Sequence, residues 1–580
     1  MKKFLLFITI ALVCFTSAWA QTWVSLTKNE PFQPEITVNT SNSQQVGFTV
    51  SVSGFFSTVI TEAGVTYQRL SILGNGVSGA VGEPEMPIIT QRVAVPACSH
   101  IAYSVNITAS QTLSNYRIYP VPDLQPNHQG VLEELFTINS SAYLQNAFTP
   151  TQNYAIAETG ALRNQHFVSI DICPIQFNPV TGQLQVITEM EVTLTFDNPS
   201  TDVNVNTGIF NNVATNTFLN YEDTGIKASI NNKAFEKPNF TPGSVQWITL
   251  TDTAQAKDIV ADYLIICAAP FFNAHCEEVQ RIAEHRAHYN GFDVAILNVE
   301  HILDDNVGFY WEDIPDTTYK TEQRIRTCIR RIYEGAHAAH TYDGHLGYVL
   351  LIGDVDEDNT GMPSSLENMF EHDYIGSIDY YFSCVTKRGN IYDEIGDLFI
   401  GRFCVPNNVE PNDGLEKLHN MVEKTINYER EYSFDGWHNN VTLVNAGIYN
   451  DNWVTIAPHF RDLLSMQNLN ELDVYEYLNN SANFEIELIN MINNGAACLS
   501  IFSHGTPDSW YIYPIDFDLT SNYLINYLNN VNKTPFCVTS ACNIGQMDNF
   551  VFGRTHNVVF TQPRLCRHDC FFHCNIFRWL

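Results

Sequence analysis

The chain has 580 residues, of which 45% are apolar, and a formal charge of −33. That length exceeds one ordinary core, so two or more domains are expected. The acidic balance argues against nucleic acid or an anionic membrane as partner, because both select basic surfaces.

Residues 1–20 read as a secretory signal peptide. Lys2 and Lys3 supply the positive start, Phe4 to Phe15 the apolar stretch, and Ala18-Trp19-Ala20 the small-residue cleavage site before Gln21. The apolar stretch is too short for a membrane span, and no later segment is long enough for one. Secretion or display at the cell surface follows as the expected location. Of the 14 cysteines, Cys14 leaves with the signal, so 14 − 1 = 13 remain, an odd number scattered over a large protein. Most read as buried thiols with no disulfide framework.

Residues 21–229 are rich in Val, Ile, Thr, Ser and Asn and alternate with period two, as in Val46-Gly47-Phe48-Thr49-Val50-Ser51-Val52 and Glu191-Val192-Thr193-Leu194-Thr195-Phe196. Such patterning predicts an antiparallel sandwich or barrel. No chemistry is visible there, and a binding module, for example for carbohydrate, stays open. Residues 230–244, with Lys237-Pro238 and Thr241-Pro242-Gly243, read as an exposed linker. Lys227 and Lys233 are candidate cleavage points for activation; Lys237 precedes a proline and is a poor one.

Over 245–553 the pattern becomes alternating strands and helices. Strands are expected at 263–267, 293–297, 348–352, 397–403 and 441–445, and helices at 274–288 and 321–336. That order predicts a mostly parallel sheet with helices on both faces, an α/β domain. Asp354, Asp356, Glu357 and Asp358 form an acidic loop after a core strand, with oxygens suited to calcium but without EF-hand spacing, and on the residues alone a simple charged surface loop is the favoured reading. His337, His340 and His345 read as a surface loop, since no fourth metal ligand stands at a characteristic spacing.

The stretch from Ala496 to Asp548 carries the chemistry. One apolar run, Ala496 to Ser503, stops at His504-Gly505; a second, Pro535 to Ala541, stops at Cys542-Asn543, and 521–528 between them reads as a crossover helix. Successive parallel strands of such a unit gather ligands at their carboxyl ends. A free thiol is mostly protonated at neutral pH, so a nucleophilic Cys542 needs an adjacent base, and His504 is placed to take its proton and return it to a leaving amine. The glycine allows close approach to a ligand, and the N–H groups of Gly505 and Cys542 form a candidate oxyanion hole. Taken singly, a strand-end cysteine reads as a small hydrophobe and a strand-end histidine as a structural residue; it is their joint placement that points to catalysis.

His504-Gly505 followed by Trp510, the Ser540-Ala541-Cys542-Asn543 turn, the run Asp397-Leu398-Phe399-Ile400-Gly401-Arg402-Phe403, and the strands 262–267 and 348–354 resemble the gingipain-like cysteine peptidases of the caspase-like fold. The resemblance spans about 240–553 and keeps the family's order. It implies that residues 21–229 are a prodomain, a role to which the proline-paced Gly82-Glu83-Pro84-Glu85-Met86-Pro87 also points, and that this prodomain inhibits its own chain. Peptides or proteins are then the substrates. It implies further that Asp397 orients His504, although this family carries Glu there, that Trp510 and Asp379 lie at the substrate cleft, and that a structural calcium binds at Asp354, Asp356 and Asp358. No cofactor is required for the chemistry. Residues 554–580 depart from the family: Cys566, Cys570, His573 and Cys574 are irregularly spaced for zinc and the composition changes abruptly, so the catalytic region is expected to be incomplete. The leading expectation is a secreted cysteine endopeptidase made as a zymogen with a Cys-His dyad. The rival is an inactive secreted adhesin or binding protein that keeps the peptidase scaffold.

Overall fold

A computed structural model describes residues 21–62, 64–96, 98, 100–126, 132–163, 165–199, 208–221, 243–309, 321–338, 346–355, 362, 365–368, 375–388, 391–392, 395–407, 413–430, 436–437, 440–445, 468–473, 481–506, 509–512, 517–520, 527–530, 533, 535–540 and 566–570. The chain divides into two compact units, 1–232 and 233–580. Among the described residues no helix is long and apolar enough to cross a membrane.

The first unit is antiparallel β structure. Strands β1 (Glu35–Ser41) and β2 (Gln45–Ser51) continue into the long β8 (Gln183–Asp197), which also pairs with β4 (His100–Ser114) and β7 (Ile175–Asn178). A second sheet joins β3 (Met86–Ala94), β6 (Gln165–Ile172) and β5 (Tyr154–Leu162). Period-two alternation explains the core: Val46, Phe48, Val50, Val192 and Leu194 are buried from one sheet, and Val93, Val168, Ile170 and Ile172 from the other, in one cluster. In the proline-paced segment, Gly82 has φ +83° and leaves no room for a Cβ against the Asn139 backbone. Next to it the buried Glu85 takes the Arg69 guanidinium at 2.8 Å.

The second unit holds two parallel five-stranded sheets rather than one continuous sheet. The first has the order β9 (Val245–Ile248), β11 (Val294–Asn298), β10 (Tyr263–Cys267), β12 (Tyr348–Ile352) and β13 (Phe399–Phe403). Every residue of β10 and β11 is buried, as expected of strands covered on both faces. Its register sets Tyr263, Tyr348 and Phe399 side by side, with ring centroids 6.0 and 5.6 Å apart. Helix α1 (Glu277–His285), prolonged by a π-turn over Arg286–Asn290, packs on α3 (Asp413–Arg430). Helix α2 (Thr321–Ala338) packs with the short helices 255–258 and 299–303. These two groups cover the sheet as helical layers.

The second sheet has the order β15 (Asn468–Asp473), β14 (Asn440–Asn445), β16 (Cys498–Phe502), β20 (Phe536–Ser540) and β21 (Cys566–Cys570), all parallel. Helix α4 (Ser481–Asn494) precedes β16. Between β16 and β20 the chain also makes an antiparallel meander of β17 (His504–Thr506), β18 (Ser509–Ile512) and β19 (Phe517–Thr520). In the predicted crossover helix at 521–528, residues 521–526 lie outside the described residues. The irregular tail supplies the edge strand β21, paired from Phe536↔Cys566 to Thr539↔Cys570.

Strand β13 is the last of the first sheet's five strands. Two staples, one at each end of this strand, hold the segment Asp379–Thr386 to it. At the carboxyl end Arg402 donates to both carboxylate oxygens of Asp379, at 2.7 and 2.8 Å. At the amino end the Asp397 carboxylate accepts from the Val385 and Thr386 amides at 3.0 and 2.8 Å. Four residues of this segment, Tyr380–Ser383, lie in a 3-10 turn, so the segment holds to β13 without extending its ladder.

Candidate active site

The two apolar runs singled out in the sequence are adjacent parallel strands, β16 and β20, in register from Cys498↔Phe536 to Phe502↔Ser540. In the sequence His504 follows Phe502 by two residues, and Cys542 follows Ser540 by two. Neighbouring strands lie about 4.8 Å apart, so equal extensions beyond a paired position leave the same sheet edge side by side. Cys542 itself lies outside the described residues. His504 and Gly505 open β17 and pair with Tyr511 and Trp510.

The remaining predicted residues sort by what holds them. Asp397 is fully buried, two residues ahead of β13; its Oδ2 accepts the two amides of the staple and its own N–H donates to the Ser383 carbonyl at 2.9 Å. A carboxylate gripped by backbone amides has a preset orientation. Both oxygens of Asp379 are taken by Arg402, whose Nη1 also donates to the carbonyls of Gly353 (3.1 Å) and Met362 (2.7 Å). Burial works against the Arg402 charge, yet Asp379 outweighs it and keeps the guanidinium pKa above its ordinary value. The sequence did not show this ion pair, because an isolated aspartate does not reveal a buried arginine 23 residues later. Trp510 is 1% exposed and pairs with Gly505, the residue after His504.

For calcium, Asp356 and Asp358 lie outside the described residues, and Asp354 is already engaged. Its Oδ1 accepts from the Val355 amide at 2.9 Å and from the Cys404 thiol at 3.0 Å. Burial first, and then Asp354, push Cys404 well above the ordinary thiol range, so it stands as a protonated donor. Among the described residues no group of three or more His, Cys, Asp or Glu is arranged to hold a metal. The calcium reading thus rests on residues outside the described ones apart from Asp354.

Sequence reasoning missed α3 and its polar contact with α1. Glu429 accepts from Arg286 Nη1 and Nη2 at 2.7 and 3.0 Å and lies 2.6 Å from His285 Nε2; the three side chains are 5% exposed or less. The hydroxyl of Tyr428, the preceding residue, donates to the Ala497 carbonyl at the foot of β16 at 3.4 Å. Helix α3 thus touches both sheets. The available signal was the i, i+4 recurrence of charge along 277–286 and 419–430, which looks the same on a solvated face.

An all-β unit precedes a parallel α/β unit, and in the sequence His504 and Cys542 follow two adjacent strands of the latter. Family models agree along the chain: residues 28–229 match Propeptide_C25 and residues 256–563 match peptidase family C25, and the chain belongs to that family. Similar characterised proteins include Lys-gingipain W83 of Porphyromonas gingivalis, 22% identical over 529 residues, which cover 88% of this chain and 26% of the relative. Gingipain R2 of the same organism is 21% identical over 502 residues, covering 84% of this chain and 57% of the relative. The chain thus spans about a quarter to somewhat over half of the length of these relatives. Among solved structures, the Arg-specific cysteine proteinase gingipain R aligns at 17% identity with a TM-score of 0.38, over 52% of this chain and 58% of that one.

Proposed function

We propose that the protein is a secreted cysteine endopeptidase, made as a zymogen whose β-rich unit inhibits its own chain. Cys542 is the nucleophile, His504 the general base and then acid, and the N–H groups of Gly505 and Cys542 the oxyanion donors. Asp397, held rigidly by two amides, is the group that fixes the His504 tautomer. His504 takes the thiol proton, and the thiolate forms a C–S bond to the scissile carbonyl carbon. The oxyanion collapses as His504 gives its proton to the departing amine, and water then hydrolyses the thioester with His504 again as base. Each oxyanion donor is worth about 3 kcal/mol of barrier.

The observation that carries this reading is the in-register pairing of β16 with β20, which sends the sequence to His504 and Cys542 after equal extensions. Cleavage of a mixed peptide library tests it, with the linker first cut by limited proteolysis. Wild type is expected to cleave, and Cys542→Ala and His504→Ala are not. Equal cleavage by wild type and Cys542→Ala would remove Cys542 from the mechanism. The products also reveal the residue preferred at the cut.

A further inference from the structure

The meander that follows β16 has two chemically distinct faces. Trp510 and Ile512 of β18 are 1% and 0% exposed, whereas Tyr511 between them is the one residue of the strand that is not buried. Register extends that division to both neighbours. Trp510 pairs with Gly505 and Leu519, and Ile512 with Phe517, so one face carries glycine and apolar residues only. Tyr511 pairs with His504 on one side and Asp518 on the other, while Ser509 pairs with Thr506 and Thr520. Directly paired residues of an antiparallel sheet share a face with Cβ atoms about 4.5–5.5 Å apart. The second face is therefore wholly polar, and His504, Tyr511 and Asp518 form one row across it.

From this row we infer that Tyr511 and Asp518 are positioning residues for His504, the ring of Tyr511 bounding the imidazole and the carboxylate of Asp518 favouring its protonated form. The inference deepens the proposed mechanism and rests on it. It does not compete with Asp397, which belongs to the first sheet; Tyr511 and Asp518 act from the strands paired to the histidine's own. Among the described residues of the paired strands, the ionisable groups in register with His504 are Tyr511 and Asp518. Two strand spacings place Asp518 about 10 Å from His504, a distance at which one charge moves a titration by about one pH unit at an effective dielectric near 20.

The test uses the full chain with its linker cut and compares Asp518→Asn, Tyr511→Phe and Tyr511→Ala. Two readouts are taken: the pH profile of kcat/KM, and the His504 imidazole titration by NMR, assigned by the signal lost in His504→Ala. Asp518→Asn is expected to lower the His504 titration by about one pH unit and to move the acid limb of the profile with it. Tyr511→Ala is expected to lower kcat about tenfold with KM retained, and Tyr511→Phe, which keeps the ring, to stay near wild type. Melting temperatures unchanged from wild type separate these effects from a fold defect. A His504 titration and a kcat unmoved by both Asp518→Asn and Tyr511→Ala would overturn the inference. A shifted titration in a protein that cleaves nothing would uphold the row and refute the peptidase mechanism, so the two failures are distinguishable.

Discussion

Glu429→Ala removes the acidic partner from the buried contact between α1 and α3. In the wild-type protein the carboxylate takes two N–H donors of Arg286 and stands 2.6 Å from His285 Nε2, with Arg286 and His285 1% and Glu429 5% exposed. Truncation leaves Arg286 charged, buried and uncompensated, since its pKa is raised in the fold despite the burial that opposes its charge. Breaking a buried pair in this way costs about 3–5 kcal/mol. Counting the three contacts separately would give more, but they share one carboxylate and are not additive. For a unit of 580 − 232 = 348 residues, that loss lowers the melting temperature by about 4–7 °C. Calorimetry of the full chain reads it, and hydrogen exchange should show lost protection in α1 and α3 first, because the lesion lies between them. The double variant Arg286→Leu/Glu429→Leu is expected to regain most of the stability, because no charge is left buried without a partner. A Glu429→Ala protein that melts within about 1 °C of wild type, where a fall of about 4–7 °C is expected, would refute the reasoning.

Three further outcomes follow from the same structure. His285 is held below its ordinary pKa by burial, which outweighs the pull of Glu429, and its Nδ1 has no hydrogen-bond partner among the described residues. The unfolded chain therefore binds the proton more readily, so stability is fully present above about pH 6.5 and declines as the pH falls below it; His285→Gln should flatten that acid slope in urea titrations. Gly353 has φ +134°, and a Cβ there would stand 2.4 Å from Asn407 Oδ1 and 2.8 Å from Met362 Cβ, so Gly353→Ala is expected to lose about 2 kcal/mol or more in chemical denaturation. Asp379→Ala strands the buried Arg402 and should cost about 3–5 kcal/mol, whereas a residue that merely met substrate would raise KM and leave the melting temperature unchanged.

The strands of both parallel sheets were legible because full burial on two faces demands continuous apolar runs, and Tyr263–Cys267, Tyr348–Ile352 and Cys498–Phe502 are such runs. Which strands share a sheet was not legible, since an apolar run records burial and not its neighbour. The predicted helix over 274–288 resolves into a helix at 277–285 and a π-turn. The edge strand Asn468–Asp473 alternates weakly and left no pattern to find, and Cys566–Cys570 is polar throughout its interior. At the site, His504 and its strand were readable from the break after an apolar run. Asp379 and Trp510 were assigned by resemblance, and the partners they meet, Arg402 and the strands of the meander, left no mark in the sequence.

The central claim is that Cys542 is an activated thiol, and its alkylation rate tests this most directly. Burial raises the pKa of Cys173 and Cys498 to about 11 and pushes Cys267, Cys328 and Cys404 upward as well, which makes these thiols slow background. After brief treatment with iodoacetamide at mildly acidic pH, peptide mapping should find the label on Cys542 far ahead of every other cysteine, and His504→Ala should abolish that preference. Labelling of Cys542 no faster than the buried thiols, or unchanged by His504→Ala, would contradict the account.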